Sequence, residues 1–133
     1  MVAAIVNKGI IYQPHILKEI RSADTYQVVE EITPKILRDV NLREDTIQEM
    51  KVAMRGVVTN GTPKEVMTTK AVQLAAKSGT SETGNVEDKH SWFVAYGPYD
   101  YTDVNDVVAA VIWVDAVNTW DWWAPKAANI LFH

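Results

Sequence analysis

The residue types best suited to chemistry in this chain lie together, in the tetrad Lys77-Ser78-Gly79-Thr80. The lysine supplies a fixed positive charge, the hydroxyls supply directional hydrogen bonds, and the glycine lets another backbone approach closely. Such a group at a strand edge can bind a carboxylate and assist acyl transfer. By itself a Lys-Ser-Gly triplet is weak, since it arises by chance in roughly one chain of this length in ten to twenty. A solvated turn between two strands is the alternative interpretation.

Strands are predicted on both sides of the tetrad. An apolar run at 72–76 leads into it, a polar stretch at 81–89 follows, and an aromatic segment returns at 91–97. These patterns predict strands over about 72–78, 91–97 and 107–114, with the tetrad at the end of the first strand. The run 107–114 is apolar at successive positions, which predicts a strand with both faces buried in a complete domain. If the chain is only part of such a domain, this strand is expected to be under-covered and to offer an edge for association.

The first half of the chain predicts a helix end, a hairpin and a long helix. Residues 1–8 read as the last turns of a helix, closed by Gly9 in a left-handed conformation. Residues 10–20 and 26–32 predict a surface β-hairpin that turns at 22–25. A helix over about 43–59 is predicted from apolar residues at helical spacing. These residues are Ile47, Met50, Met54, Val57 and Val58.

Finer signals predict how this helix begins, ends and packs. Asn41 and Glu44 resemble a capping box, and Asn60-Gly61 supplies a stop. Gly56 inside the helix suggests close packing, because glycine there costs roughly 1 kcal/mol against alanine. A last helix is expected to begin near Asp121, with Pro125 in its first turn. The order of elements predicts an α+β fold with an antiparallel sheet flanked by helices.

Composition excludes several classes of protein. The chain has 133 residues, enough for one domain or part of one, and it has no cysteine for a disulfide or thiolate site. A net charge of −4 without a Lys/Arg stripe argues against nucleic acid as a partner. The longest apolar run, 107–114, is too short to cross a bilayer. His15, His90 and His133 form no pair with ligand spacing, so no metal site is predicted. His90 precedes the aromatic strand and could contact the cleft, but a hydrogen-bonded structural histidine is the simpler prediction. The start within an apolar segment suggests a cut end.

Two segments around the tetrad resemble a known protein family. Residues 75–81 (Ala-Ala-Lys-Ser-Gly-Thr-Ser) and 90–98 (His-Ser-Trp-Phe-Val-Ala-Tyr-Gly-Pro) resemble the third-motif region of penicillin-binding protein transpeptidase domains, in particular elongation-type class B enzymes. Residues 2–15, and 54–58 with Gly61-Thr62, are similar to earlier parts of the same domain. The resemblance implies a partial β-lactamase/transpeptidase-like fold, with 1–133 as the C-terminal portion of a transpeptidase domain.

The resemblance also implies roles for the tetrad. Lys77 and Thr80 would be catalytic: Lys77 near a proton-relay network, and the Thr80 N–H as an oxyanion donor. Ser78, Gly79 and Thr80 would bind substrate, the hydroxyls holding the terminal carboxylate of a D-Ala-D-Ala stem peptide or of a β-lactam. Glu82 departs from the family pattern and brings a negative charge near that carboxylate.

The family's other two motifs, Ser-x-x-Lys with the nucleophile and Ser-x-Asn, do not occur in the 133 residues. By the resemblance they would lie upstream of Met1, so the isolated chain is predicted to be inactive. The parent would be a peptidoglycan cross-linking enzyme without metal or organic cofactor, outside the cytoplasmic membrane and anchored in it. Its partners would be stem peptides or β-lactams, and possible cell-wall elongation proteins.

Two alternatives stay open. A serine β-lactamase or β-lactam sensor domain shares the third motif. A non-catalytic cell-wall interaction module could instead use the hairpin 10–32 and the tryptophans near the C-terminus. The simpler interpretation is that those tryptophans pack the last helix on the sheet, or are exposed because the chain lacks elements that would cover them. The tryptophans are Trp113, Trp120, Trp122 and Trp123.

Overall fold

The computed structural model describes residues 1–84, 87–117 and 122–133. Within these ranges the chain folds into three α-helices, seven strands and two single turns of 3₁₀-helix, at Thr62–Glu65 and Val104–Asp106. The helices and strands are, in chain order, α1 (Val2–Val6), β1 (Ile10–Tyr12), β2 (Glu19–Arg21), β3 (Val28–Glu31), β4 (Ile36–Asp39), α2 (Glu44–Thr59), β5 (Ala75–Glu82), β6 (Lys89–Gly97), β7 (Val108–Val117) and α3 (Trp123–Leu131). The predicted α+β class is confirmed.

The central element is the antiparallel sheet β5-β6-β7. Its register places Gly79 opposite Trp92, and Trp92 opposite Trp113. Because successive side chains of a strand point to opposite faces, Ala75 and Ala76 begin two rows that continue on the two faces of the sheet.

Each face of the sheet has its own core. Both begin at the start of β5, where Ala75 and Ala76 are fully buried. The core on the Ala76 face joins the sheet to α3, the end of α2 and Met67, and consists of Val58, Met67, Leu74, Ala76, Phe93, Ala95, Ala124 and Ala128. The core on the Ala75 face joins the sheet to α1 and α2, and consists of Val2, Ile5, Val6, Met54, Ala75 and Tyr96.

Helix α2 packs against β5 and supplies residues to both cores. Met54 belongs to the core that contains Ala75, and Val58 belongs to the core that contains Ala76. A helix that reaches both faces of a strand lies along its edge. We infer that α2 covers the edge of β5 near Ala75 and Ala76.

The prediction for the hairpin region was right in one part. Strands β2 and β3 pair antiparallel, with Ile20 opposite Glu30, as the predicted hairpin requires. The strand β4 was not predicted, and β1 pairs with it rather than with residues 26–32. Gly9 does adopt the predicted left-handed conformation, at φ 97°.

Two predictions for α2 were wrong. Its N-cap is Arg43, and no side chain caps it; Asn41 instead adopts a positive φ of 50° and donates its backbone N–H to Asp39 Oδ1 at 2.8 Å. A Cβ added at Gly56 would find no atom within 4 Å, so this glycine does not mark close packing. The predicted stop is confirmed, because α2 ends at Thr59 with Asn60 as its C-cap.

Strand β7 is buried on one face only, so the prediction of two buried faces was wrong for this chain, while the expectation that 107–114 would be under-covered here is confirmed. Val111 is 68% exposed and Trp113 is 50% exposed, whereas Ile112 packs against the core on the α3 side. Helix α3 buries Ala124, Pro125 and Ala128, whereas Trp122 and Trp123 at its start are 38% and 43% exposed. The predicted helix start at Asp121, and Trp120, lie outside the described residues.

Candidate functional site

The tetrad lies in the middle of β5 and not at the end of a strand as predicted. Strand β5 continues to Glu82, and every residue from Ala75 to Glu82 has a partner on β6. Residues 72–74, which were expected to be strand, precede it.

The four side chains divide between the two faces of the sheet. Ser78 and Thr80 are two positions apart and therefore share the face of Ala76, while Lys77 and Gly79 share the face of Ala75. Lys77, Gly79 and Thr80 are exposed and Ser78 is partly buried. The structure thus brings the two predicted carboxylate-binding hydroxyls to one face of the sheet and places the predicted catalytic lysine on the other.

The lysine is held close to the strand that carries it. Lys77 Nζ donates a hydrogen bond to the carbonyl oxygen of Ser78 at 2.6 Å. This bond keeps the ammonium group beside the backbone of the tetrad, where its charge raises the local positive potential.

The sheet face beyond Lys77 is an aromatic surface. A Cβ at Gly79 would come within 3.3 Å of Trp92 Cβ, so glycine makes room for this tryptophan. Trp92 donates its indole N–H to Ser81 Oγ at 3.0 Å, and its ring centroid lies 5.8 Å from that of Trp113. These contacts join all three strands across one face.

His90 belongs to this surface. Its Nδ1 lies 2.8 Å from Asp115 Oδ1, and its ring lies 5.3 Å from the Trp113 ring. The aspartate and the tryptophan fix the ring, which supports the simpler prediction of a structural histidine for His90. The sequence could not identify Asp115 as its partner, because the pairing depends on the β6–β7 register.

The opposite face of the sheet carries Ser78 and Thr80, and α3 packs on part of it through Ala124 and Ala128. Thr80 lies opposite Ser91, and Ser91 Oγ accepts a hydrogen bond from the backbone N–H of Ala124 at 3.3 Å. Further along the ladder Glu82 lies opposite Lys89. An opposite charge therefore stands beside the glutamate whose charge appeared unfavourable for an anionic substrate.

The backbone of β5 is itself a binding element. Over the described parts of the chain β5 is paired with β6 alone, so its other side is a strand edge. Helix α2 packs near the beginning of this edge, whereas the tetrad lies further along. An exposed strand edge can pair with an extended peptide through main-chain hydrogen bonds, while nearby side chains select the peptide.

A cavity of about 640 Å³ lies near the start of β5. Arg55, Val58, Met67, Lys70 and Leu74 are among its lining residues, and no tetrad residue is. The cavity therefore does not belong to the candidate site.

The described ranges contain no group of three or more His, Cys, Asp or Glu side chains placed to hold a metal ion. In the same ranges, no helix has the length and hydropathy needed to cross a bilayer.

A family comparison decides what kind of domain carries this site. Residues 1–129 match the family described as "Penicillin binding protein transpeptidase domain". The chain belongs to the penicillin-binding protein transpeptidase family. The resemblance noted from the motifs is thereby confirmed.

Individual relatives agree with the family match. Penicillin-binding protein 2A of Bacillus subtilis (strain 168) is 28% identical over 117 residues, which cover 77% of this chain and 16% of that protein. Peptidoglycan D,D-transpeptidase MrdA of Haemophilus influenzae is 27% identical over 117 residues, covering 72% of this chain and 17% of the relative. The transpeptidase-family chain thus spans about a sixth of the length of these relatives.

Solved structures show the same fold. The D,D-transpeptidase domain of a peptidoglycan glycosyltransferase from Eggerthella lenta superposes with a TM-score of 0.69 at 27% identity, covering 98% of this chain and 29% of that one. Penicillin-binding protein 2B from Streptococcus pneumoniae (strain R6) gives a TM-score of 0.76 at 20% identity, with 98% and 22% covered. At that identity the pneumococcal structure supports the fold alone. The predicted transpeptidase-like fold is therefore confirmed.

One contact near the site could not have been found from the sequence. Arg55 Nη1 of α2 donates a hydrogen bond to the carbonyl oxygen of Leu74, just before β5, at 2.5 Å. The two residues are 19 positions apart, and a backbone acceptor leaves no pattern in the sequence. The one available signal in the sequence is that a charged residue, Arg55, stands between Met54 and Val57 of the apolar stripe of α2.

Proposed function

We propose that this chain is the C-terminal, substrate-holding portion of a peptidoglycan D,D-transpeptidase domain. The observation that carries the proposal is the tetrad on the exposed part of an edge strand, with Ser78 and Thr80 on one face, in a chain of the transpeptidase family. An extended stem peptide would pair with the β5 edge, and its terminal carboxylate would accept hydrogen bonds from the two hydroxyls.

The remaining tetrad residues complete the proposed site. The positive charge of Lys77 would favour the anionic substrate and lie near the proton relay. Gly79 would let the substrate backbone come close to the strand. The N–H of Thr80 would donate to the oxyanion of the tetrahedral intermediate, an interaction worth roughly 3–4 kcal/mol in acyl-transfer enzymes.

The nucleophile would come from a part of the parent protein outside these 133 residues. A serine oxygen there would attack the carbonyl carbon of the D-Ala-D-Ala bond, forming an ester while the C–N bond breaks and the departing amine takes a proton. The amine of a second stem peptide would then attack the ester, releasing the serine and forming the cross-link. Ser22, Ser78, Ser81 and Ser91 all lack a lysine three residues later, and so none has the nucleophile motif.

The same reasoning gives the proposed setting. The substrate is cell-wall peptidoglycan, so the site would act outside the cytoplasmic membrane, with an anchor in another part of the parent. Cell-wall elongation proteins are the proposed partners of that parent, because residues 75–81 and 90–98 resemble elongation-type class B enzymes.

The test uses the parent protein and a fluorescent penicillin. Thr80→Val and Ser78→Ala should each slow acylation by about tenfold or more, because each removes a hydrogen bond to a charged group. The matched control is Ser81→Ala, which loses a hydroxyl from the same strand but from the Lys77 face, where it binds Trp92. Acylation of the control should stay within about twofold of the parent. Equal rates in all three variants would contradict the proposed role of the hydroxyls.

The chain alone gives the complementary test. Incubation of the 133-residue chain with benzylpenicillin should give no covalent adduct in the intact mass, because no serine of the chain has the nucleophile motif. An adduct of one penicillin per chain would show that a nucleophile lies within these residues, and would contradict the proposed division of the site.

A further inference from the structure

The start of β5 is held from two directions just before the tetrad. The carbonyl oxygen of Leu74 accepts the Arg55 guanidinium of α2 at 2.5 Å, and the carbonyl oxygen of Gln73 accepts the backbone N–H of Tyr99 at 2.7 Å. These two acceptors are consecutive, and their donors come from elements far apart in the sequence. Residues 73–74 are therefore tied both to α2 and to the segment that follows β6.

The two donors also contact each other. The Arg55 guanidinium lies over the Tyr99 ring, 5.8 Å from its centroid. A cation at that distance from an aromatic face is attracted to it, and the interaction limits the orientations of the guanidinium. Arg55, Tyr99 and the carbonyl oxygens of Gln73 and Leu74 thus form one connected unit, which we call the strand clamp.

Packing supports the clamp from the side of β6. Leu74 is 1% exposed, and a Cβ added at Gly97 would come within 2.7 Å of Leu74 Cδ2 and 3.0 Å of Val72 Cγ2. The missing side chain at Gly97 lets residues 72–74 lie directly against the end of β6. A side chain at position 97 would therefore have to displace Leu74 or Val72.

We propose that Arg55 is a positioning residue for the tetrad, acting through Leu74. Lys77 follows Leu74 by three residues, about 10 Å along an extended strand. From Lys77 onward most residues of β5 are exposed, whereas Ala75 and Ala76 share their cores with residues of α2. The orientation of the tetrad is therefore set at its buried start, and Arg55 supplies a charged hydrogen bond at that point.

This role differs from that of the tetrad residues, because Arg55 lines the 640 Å³ cavity, which no tetrad residue does. Arg55 would therefore act on the strand and not on the substrate. The proposed role also concerns this chain alone and does not require the proposed transpeptidase reaction. A failed test of the clamp leaves the proposed function standing, and the reverse also holds.

The test is amide hydrogen exchange of the 133-residue chain, resolved by residue, alongside urea unfolding. Any loss of global stability in a variant accelerates exchange of all core amides by one common factor, which urea unfolding gives and which we call the global factor. In Arg55→Gln the amides of residues 75–80 should exchange about tenfold faster than this global factor predicts. Amides of β6–β7 pairs should follow the global factor alone. Arg55→Lys, which keeps one charged donor, should restore part of the protection in β5.

Lys51→Gln is the matched control. Lys51 lies on the same helix and also places a cation over a tyrosine ring, 3.9 Å from the Tyr101 centroid. In the described chain no hydrogen bond joins Lys51 to the start of β5. In Lys51→Gln the amides of β5 should therefore change their exchange rates only by the global factor. If Arg55→Gln does not fold, Tyr99→Leu removes the ring below the guanidinium and is expected to raise β5 exchange selectively by about threefold. Uniform exchange changes across all three strands would overturn the proposal.

Discussion

The two halves of β5 have opposite environments. Ala75 and Ala76 are fully buried between two cores, and α2 packs beside them. From Lys77 to Glu82 most residues are exposed, although every one keeps its partner on β6. A single strand thus serves as scaffold at one end and as candidate site at the other, and its continuous hydrogen-bond ladder connects the two.

This difference implies a separation of stability from function. Burial of apolar area and close packing stabilise the first half, so substitutions around it should lower the free energy of unfolding. The second half contributes hydroxyls, charge and backbone groups to solvent, so substitutions there should alter binding while leaving unfolding unchanged. Stability and binding measurements on variants along the sheet would locate the boundary between these two parts.

The largest effect is expected for Phe93→Ala. Phe93 is fully buried, lies opposite Ser78 and belongs to the core beneath α3. Removing its ring should lower the free energy of unfolding by about 3–5 kcal/mol, measured by urea denaturation. Val111→Thr, at a 68% exposed position of the same sheet, is the control and should change it by less than about 0.5 kcal/mol. Similar losses in both variants would remove the contrast between buried and open parts of the sheet.

A pair of glycine substitutions should give effects of opposite sign. Gly97→Ala would place its Cβ 2.7 Å from Leu74 Cδ2 and should destabilise the chain by about 1–3 kcal/mol. Gly56→Ala adds a methyl group in α2 where no atom lies within 4 Å, and should stabilise the chain by about 0.5–1 kcal/mol. Thermal unfolding of both variants provides the comparison, and stabilisation by Gly97→Ala would show that the start of β5 is not tightly packed.

Alkaline pH should selectively weaken the core beside Ala75. Burial raises the pKa of Tyr96 to about 12 from its ordinary 10, with Tyr101 and Tyr99 adding to the effect. Below pH 10 the hydroxyl is protonated in both folded and unfolded chains. Between pH 10 and 12 it ionises only when unfolded, so the free energy of unfolding should fall by about 1–2 kcal/mol as pH rises through that window. Urea titrations at pH 9 and at higher pH measure this loss.

The Tyr96→Phe variant separates this effect from general alkaline unfolding. The Tyr96 hydroxyl is buried without a hydrogen-bond partner in the described structure, so its removal should be neutral or slightly stabilising at pH 7. The variant should also lose part of the pH dependence above 10. An unchanged pH profile would mean that Tyr96 does not account for the loss.

The sequence was sufficient to predict the elements with strong local signals. The apolar stripe of α2 and the Asn60 stop predicted a helix that the structure ends at Thr59, and the left-handed Gly9 was also predicted. The α+β class followed from the order of the predicted helices and strands, and the family followed from motifs around the tetrad and earlier in the chain. For the tetrad residues themselves, the structure gives positions, while their roles stay predictions.

Tertiary contacts explain what the sequence could not predict. Strand β4 has four exposed residues and is fixed by pairing with β1, which no local pattern reveals. The apolar run of β7 suggested two buried faces, yet Val111 and Trp113 lie on the open one. The same uniform pattern arises whether one face or both are covered, because composition does not record which elements pack on a strand.

The smallest effect on stability is expected in the exposed half of β5. Thr80→Val keeps the shape and β-branching of a residue that is exposed, so the free energy of unfolding should change by less than about 0.5 kcal/mol in urea denaturation. Ala76→Val, four positions earlier on the same face but fully buried, should instead cost about 1–3 kcal/mol through overpacking. A loss above about 1 kcal/mol for Thr80→Val would place the tetrad in the scaffold. If Thr80→Val leaves the free energy of unfolding unchanged but slows acylation when it is made in the parent protein, the Thr80 hydroxyl acts in binding alone.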